Sequence, residues 1–136
     1  DVCSSDLNMK KLVAILFAST LVLTACGSGG SVTNLNVEEF AAKAADQSVV
    51  VLDVRTPEEF NSGHLARAEN IDYNAGNFEN DIQGLDKSKT YAVYCRSGHR
   101  SGLATAIMAK QGFTHIFNLN GGIIDWTAAG KQLVNN

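Results

Sequence analysis

From Val32 onward, short apolar runs rich in β-branched and aromatic residues alternate with stretches whose apolar positions recur at helical spacing. Val32-Thr33-Asn34-Leu35 reads as a short strand. Asn36 follows as an N-cap, and Glu39 completes a capping-box pattern for a helix to about Ala45. Phe40, Ala41, Ala44 and Ala45 make that helix's apolar stripe. Val49-Val50-Val51-Leu52 is a continuous apolar run, the mark of a strand buried on both faces. Thr56 caps a short helix with Pro57 at its first position and Glu58 and Glu59 in its first turn; Gly63 ends it.

The alternation continues toward the C-terminus. Ala68 to Ile71 reads as another short strand, and Asn77 to Leu85 as a weak helix interrupted near Gly84. Tyr91-Ala92-Val93-Tyr94 is a strand that stops at Cys95. A helix runs from Leu103 to Gln111, with Leu103 and Ile107, and Ala104 and Met108, paired on one face and Gly112 as C-cap. Ile116 to Leu119 is a further strand, and Gly121-Gly122 opens a last helix carrying Ile123, Ile124 and Trp126. Strands separated by helices specify an α/β fold, a parallel sheet with helices on both faces. Ligands in such folds gather beyond the C-terminal ends of the strands. Three loops therefore meet on one edge: Asp53-Val54-Arg55, Cys95 to Arg100, and Asn120-Gly121-Gly122.

The first residues read as an address rather than as part of this fold. Met9-Lys10-Lys11 and the apolar run Leu12 to Leu23 form a secretory signal pattern over residues 9–25, too short for a spanning helix. Leu23-Thr24-Ala25-Cys26 resembles a bacterial lipobox, with Cys26 the residue to be lipidated. An ordinary signal cleaved after Ala25 is the plainer alternative. Residues 1–8, with Asp1 and Asp6, do not suit a signal's basic region and read as an upstream extension. Residues 26–31 are the lipidated cysteine and a Gly/Ser tether, and residues 32–136 the folded domain. The expected location is the cell envelope, anchored through Cys26, on the periplasmic side of the outer membrane in a Gram-negative source.

Composition narrows the function. A net charge of −3 with no basic block points away from nucleic acid. Of the three cysteines only Cys95 falls in the folded part, so no internal disulfide forms there. Cys95, His64, His99 and His115 show no metal-ligand spacing, and nothing implies a cofactor. Nothing in the pattern sets the oligomeric state.

The chemistry concentrates in Cys95-Arg96-Ser97-Gly98-His99-Arg100-Ser101. A strand that ends on a cysteine, turns through a glycine-containing loop and opens a helix aims backbone N–H groups and a helix N-terminus at one sulfur. An unperturbed thiol, pKa ~8.5, is only a few per cent ionised at neutral pH, and such surroundings with Arg96 and Arg100 shift it toward the reactive thiolate. Cys95 is the candidate nucleophile, and Arg96, Ser97, Gly98, His99, Arg100 and Ser101 the candidate substrate-binding residues. His99 either touches substrate or faces solvent. Such chemistry requires a sulfur within solvent's reach and guanidinium groups that face it. Arg55 is expected to pair with Glu59 or Glu58 as a scaffold at the loop base, with Asp53 steadying the active loop by accepting amide bonds. His64 reads as a satisfied loop histidine and His115 as a surface residue.

Four separated pieces together resemble a rhodanese domain, the sulfurtransferase fold. They are Leu52-Asp53-Val54-Arg55 with Glu58-Glu59-Phe60; Gly63-His64-Leu65 with Ala68 and Asn70-Ile71; Tyr94 through Ser101; and Leu119-Asn120-Gly121-Gly122-Ile123 with Trp126. Arg67 departs from the pattern, which usually places glycine there. The resemblance implies a five-stranded, mostly parallel sheet and a cysteine that carries sulfur as a persulfide. It thus implies a sulfurtransferase: Cys95 takes the outer sulfur of thiosulfate or a persulfide donor and passes it to a thiol or cyanide. Two rivals compete. One is a non-enzymatic, membrane-tethered redox or partner-binding module using Cys95 as an oxidisable thiol. The other is a cysteine phosphatase or arsenate reductase, though cysteine phosphatases use a longer loop than the four residues between Cys95 and Arg100.

Overall fold

The computed structural model describes residues 29–135. The expected extension, signal segment, Cys26 and the first two tether residues lie outside the described residues. Five strands, β1 (Ser31–Leu35), β2 (Val49–Asp53), β3 (Glu69–Asn70), β4 (Thr90–Tyr94) and β5 (His115–Leu119), form one sheet in the order β1-β5-β4-β2-β3. Every neighbouring pair is parallel. Helices α1 (Val37–Ala45), α2 (Pro57–Asn61), α3 (Phe78–Asp81), α4 (His99–Lys110) and α5 (Gly122–Ala128) make the connections, with 3-10 turns at Tyr73–Ala75 and Ile82–Gly84. Among the described residues no helix is long and apolar enough to cross a membrane.

Period-two alternation in β4 sets the two cores. Tyr91, Val93 and Cys95 pack on one face with Met108 and Ala104 of α4 and Phe78 and Ile82 below the sheet edge. Ala92 and Tyr94 pack on the other, with Phe40 of α1 and Ile123 and Trp126 of α5. There Phe40 meets Tyr94 and Trp126 edge-on, at ring separations of 6.5 and 6.4 Å.

The capping box of Asn36 with Glu39 forms as its sequence specifies, and Thr56, expected as a cap, forms a second box with Glu59. Elsewhere the elements differ from expectation. β1 begins at Ser31, inside the stretch assigned to the tether. β3 shortens to Glu69–Asn70, since only Leu52 and Asp53 of β2 face it. The weak helix at 77–85 divides into α3 and a 3-10 turn that ends at Gly84, where the sequence placed its interruption.

α4 departs most. It starts at His99, so the loop after Cys95 is only Arg96-Ser97-Gly98 before the helix opens. Its buried face is Ser101, Ala104, Thr105 and Met108, while Leu103 is 44% exposed. Small residues on that face let the helix lie close over β4 and β5. Ile124 of α5 is likewise exposed, at 45%.

Arg67 occupies a left-handed conformation, φ +63°, the region that favours glycine. Its guanidinium compensates by donating to the carbonyls of Ala44 and Asp46 (3.2 Å for the latter) at the C-terminal end of α1. Arg67→Ala loses those bonds and keeps the backbone strain, whereas Arg67→Gly loses the bonds and relieves the strain. Urea unfolding is expected to find the glycine variant more stable than the alanine variant by about 1 kcal/mol.

Candidate active site

Asp53, at the end of β2, lies beside Tyr94 at the end of β4, so the loops after both strands leave the same sheet edge. The β5–α5 loop closes the group. The N–H groups of Ile123 and Ile124 donate to the carbonyls of Cys95 (2.9 Å) and Arg96 (3.2 Å). The approach leaves no room at Gly122, where a Cβ would lie 2.5 Å from the Arg96 carbonyl and φ is +63°. Gly98, also at positive φ, starts α4 against the backbone of Gly121. The three expected loops thus meet.

Cys95 sits at the base of this arrangement. Its Sγ accepts hydrogen bonds from the Gly98 N–H at 3.1 Å and the Ser101 hydroxyl at 3.4 Å. Burial pushes the thiol up, but the Ser101 hydroxyl and the N–H groups of Ser101, Ser97 and Gly98 outweigh it, and the net shift is downward. The downward direction comes mainly from these hydrogen bonds.

One expectation fails. Cys95 is not open to solvent; its exposure is 0%. The reason is the short loop, whose amide groups fold directly over the sulfur and leave Arg96, Ser97 and His99 as the exposed outer surface. Arg100 is paired but still lies close enough to Cys95 for the sulfur's charge to act on it. Its Nη1 and Nη2 donate to Glu59 Oε2 and Oε1 at 2.7 and 2.8 Å, a bidentate pair. Arg100 holds the Glu59 carboxyl down to about 2, and Glu59 in turn raises the guanidinium. Among the described residues Arg96 makes no side-chain hydrogen bond or ion pair.

The Arg55 pairing also needs correction. Arg55 joins neither Glu58 nor Glu59 but the buried Asp53, with Nη2–Oδ2 at 2.6 Å. Asp53 Oδ1 accepts the Arg55 N–H at 2.9 Å, and Arg55 Nη2 also donates to the Gly63 carbonyl at 2.8 Å. Asp53 therefore steadies its own loop rather than the cysteine loop. An i,i+2 closure is invisible to a search for i,i+3 and i,i+4 pairs. The Arg55 guanidinium lies 5.6 Å from the centre of the Tyr94 ring, whose hydroxyl accepts the Leu65 N–H at 3.1 Å. Burial and the Asp53 charge push the Tyr94 phenol upward, keeping it neutral. Asn70, read only as part of a strand, donates to the carbonyls of both Asp53 and Arg55.

His64 is buried, stacked on Phe60, with Nδ1 3.0 Å from the Phe60 carbonyl, as a satisfied loop histidine should be. His99 faces solvent, and His115 is exposed. A depression of about 260 Å³ adjoins the cysteine loop, lined by Arg55, Glu59, Arg96, Ile123, Ile124 and Leu133 among others. Among the described residues no cluster of His, Cys, Asp and Glu has the arrangement to hold a metal ion.

A parallel sheet whose central strand leads into a cysteine held by hydrogen bonds from its own loop defines a cysteine-loop α/β protein. The model of the rhodanese-like domain matches residues 36–129, and the chain belongs to that family. It is 32% identical over 104 residues to a sulfurtransferase of Allochromatium vinosum, covering 76% of this chain and 95% of that one. YrkF, a candidate sulfur carrier protein of Bacillus subtilis, is 33% identical over 101 residues, which span 74% of this chain but 54% of YrkF. Among solved structures, a rhodanese-related protein of Thermoplasma volcanium superposes with a TM-score of 0.68 at 28% identity, covering 76% of this chain and 99% of that one.

Two outcomes follow from the geometry. Ser101→Ala removes the hydroxyl bond to Sγ, so the Cys95 thiol is expected to titrate at higher pH, followed by ultraviolet thiolate absorbance, and to alkylate several-fold more slowly at neutral pH. Glu59, depressed from 4.5 to about 2, contributes stability that is fully present above 4.5 and lost as pH falls through about 2. Glu59→Gln is expected to flatten that part of the acid-unfolding profile, measured by circular dichroism.

Proposed function

We propose that the protein is a sulfurtransferase in which Cys95 carries sulfane sulfur as a persulfide. The carrying observation is the Cys95 sulfur held by the Gly98 N–H and the Ser101 hydroxyl, with its ionisation shifted toward thiolate. In the first step the Cys95 thiolate attacks the outer sulfur of a donor. A new S–S bond forms, the donor's own S–S bond breaks, and the leaving group departs with the electron pair: sulfite from thiosulfate, a thiolate from a persulfide. In the second step a thiol or cyanide attacks the outer sulfur and releases the Cys95 thiolate. The sulfur changes carrier and no external oxidant or reductant is consumed. The same loop N–H groups that favour the thiolate suit the terminal sulfur of the persulfide.

Enclosure of Cys95 weighs on the redox-module reading and on sulfur transfer alike, since both need a reachable sulfur, and it does not separate them. Arg96, Ser97 and His99 form the loop's outer surface over the sulfur. The short loop, with four residues between Cys95 and Arg100, counts against the phosphatase. The envelope location through a lipid anchor on Cys26 also belongs to the proposal, supported by residues 9–26 of the sequence.

With thiosulfate or a persulfide as donor and cyanide as acceptor, the protein is expected to form thiocyanate. The donor-treated chain should gain one sulfur atom by intact mass, and the gain should map to Cys95. Cys95→Ser should abolish both signals while the far-ultraviolet circular dichroism stays that of the parent. Transfer that survives the substitution overturns the assignment.

A further inference from the structure

Resting on the lipid-anchor reading of Cys26, we propose that the edge of the sheet where the chain enters β1 is a membrane-docking surface: Lys43, Arg67, Lys87, Lys89 and Lys110 rest on anionic phospholipid headgroups and hold Cys95 on the side away from the lipid.

The strands are all parallel, so their first residues share one edge of the sheet and their last residues the other. The chain comes in at the first edge, where the Gly30 N–H donates to the Ala109 carbonyl at 3.3 Å, next to Lys110 at the end of α4. Lys43 lies in the last turn of α1, and the Arg67 guanidinium holds the carbonyls at the end of that helix. Lys87 and Lys89 belong to the turn that leads into β4. Lys87 Nζ sits 5.8 Å from the centre of the Phe113 ring, and the Phe113 carbonyl packs against Gly30. All five cationic residues are exposed. The acids that border this edge are Asp46 and Asp86, each folded back onto the serine two residues on, with Glu79 and Asp81 on α3. Lysine side chains reach past such short, closed carboxylates. The other edge has the opposite character. Glu38 and Glu39, Glu58, and Asp125 stand exposed in the first turns of α1, α2 and α5, while Arg55 and Arg100 are held there by carboxylates.

Helix dipoles account for Lys43 and Lys110 at helix ends, but Lys87 and Lys89 complement no helix. The point of chain entry supplies the reason for all of them. Cys26 lies four residues before Gly30, so a lipid on Cys26 keeps Gly30 within about 14 Å of the anchored residue. Nearness comes from the tether and direction from the charge: an anionic surface attracts the lysine edge and repels the acidic one. An acidic protein or a nucleic acid would meet the same cations, but lipid is the anionic surface that the tether itself brings to them. β4 rises about 3.3 Å per residue, so Cys95 stands roughly 16 Å along the sheet from Thr90 at the docking edge. The cysteine loop is thus turned toward soluble partners rather than toward molecules dissolved in the lipid.

The test is flotation of the full chain with vesicles of phosphatidylcholine, or of phosphatidylcholine with phosphatidylglycerol, followed by acetylation with sulfosuccinimidyl acetate and peptide mass spectrometry. Lys131, paired with Glu38 on the other edge, is the internal reference. One lysine at an anionic surface is worth about a fivefold change, so labelling of Lys43, Lys87, Lys89 and Lys110 relative to Lys131 should fall at least that far in the vesicles with phosphatidylglycerol alone. High salt should restore it. Lys87→Gln combined with Lys89→Gln should restore the labelling of Lys43 and Lys110 while the far-ultraviolet circular dichroism stays that of the parent. A chain that floats with both kinds of vesicle but labels alike in them overturns the docking edge and leaves the anchor standing. Protection shared equally by Lys131, or unmoved by salt, overturns the docking edge as well. A chain that floats only with the anionic vesicles, its four lysines protected, upholds the docking edge and overturns the anchor. One that floats with neither overturns both.

Discussion

The chemistry of this chain depends on how closely α5 approaches the backbone of the cysteine loop. The sulfur is ionisable in place because peptide N–H groups and one hydroxyl point at it, and those groups point correctly only while the loop keeps its turn. The Ile123 and Ile124 N–H groups hold the carbonyls of Cys95 and Arg96 from behind. These are orphan donors at the start of α5, and the loop carbonyls satisfy them, so helix capping and active-loop geometry are one interaction. Gly122 is the condition for it, since any side chain there would occupy the space of the Arg96 carbonyl.

The ion pairs divide the remaining work. Asp53 and Arg55 are both buried, and a pair of that kind carries a desolvation cost that only good geometry offsets. Here the carboxylate takes the backbone N–H of Arg55 as well as its side chain, and the guanidinium also reaches Gly63. The result is a rigid start for α2, and α2 in turn carries Glu59 to Arg100. Loss of either buried partner would leave a charge uncompensated, at about 3–5 kcal/mol. The outer pair is less buried and joins α2 to the first turn of α4.

Much of this was legible in the sequence for local reasons. Helix N-caps, the apolar β2 run and the strand–cysteine–glycine–helix succession are encoded within a few residues, and they formed as read. The convergence of three loops followed from alternation alone, because a parallel sheet has only one edge where its strands end. What stayed hidden depended on contacts distant in sequence. Glu59 and Arg100 lie on different elements, and nothing in either segment tells which of the nearby arginines Glu59 will choose. The start of α4 at His99 was hidden for another reason. Gly98 at positive φ begins the helix without a capping side chain, and the buried face of its first turn is a serine. The exposed Leu103 then looked like a core residue, because apolar spacing cannot say which side of a helix the sheet lies on.

Hydrogen bonds and charges make different demands on a sulfur site. Free cations lower a thiol's pKa but also draw any anion and are screened by salt. Fixed amide dipoles and a hydroxyl within 3.1–3.4 Å act over short range and are indifferent to ionic strength. The chain takes the second course, lowering the Cys95 thiol mainly with groups that salt does not screen. Enclosure follows from the same contacts, since the loop that directs its N–H groups at Cys95 also covers it from bulk solvent.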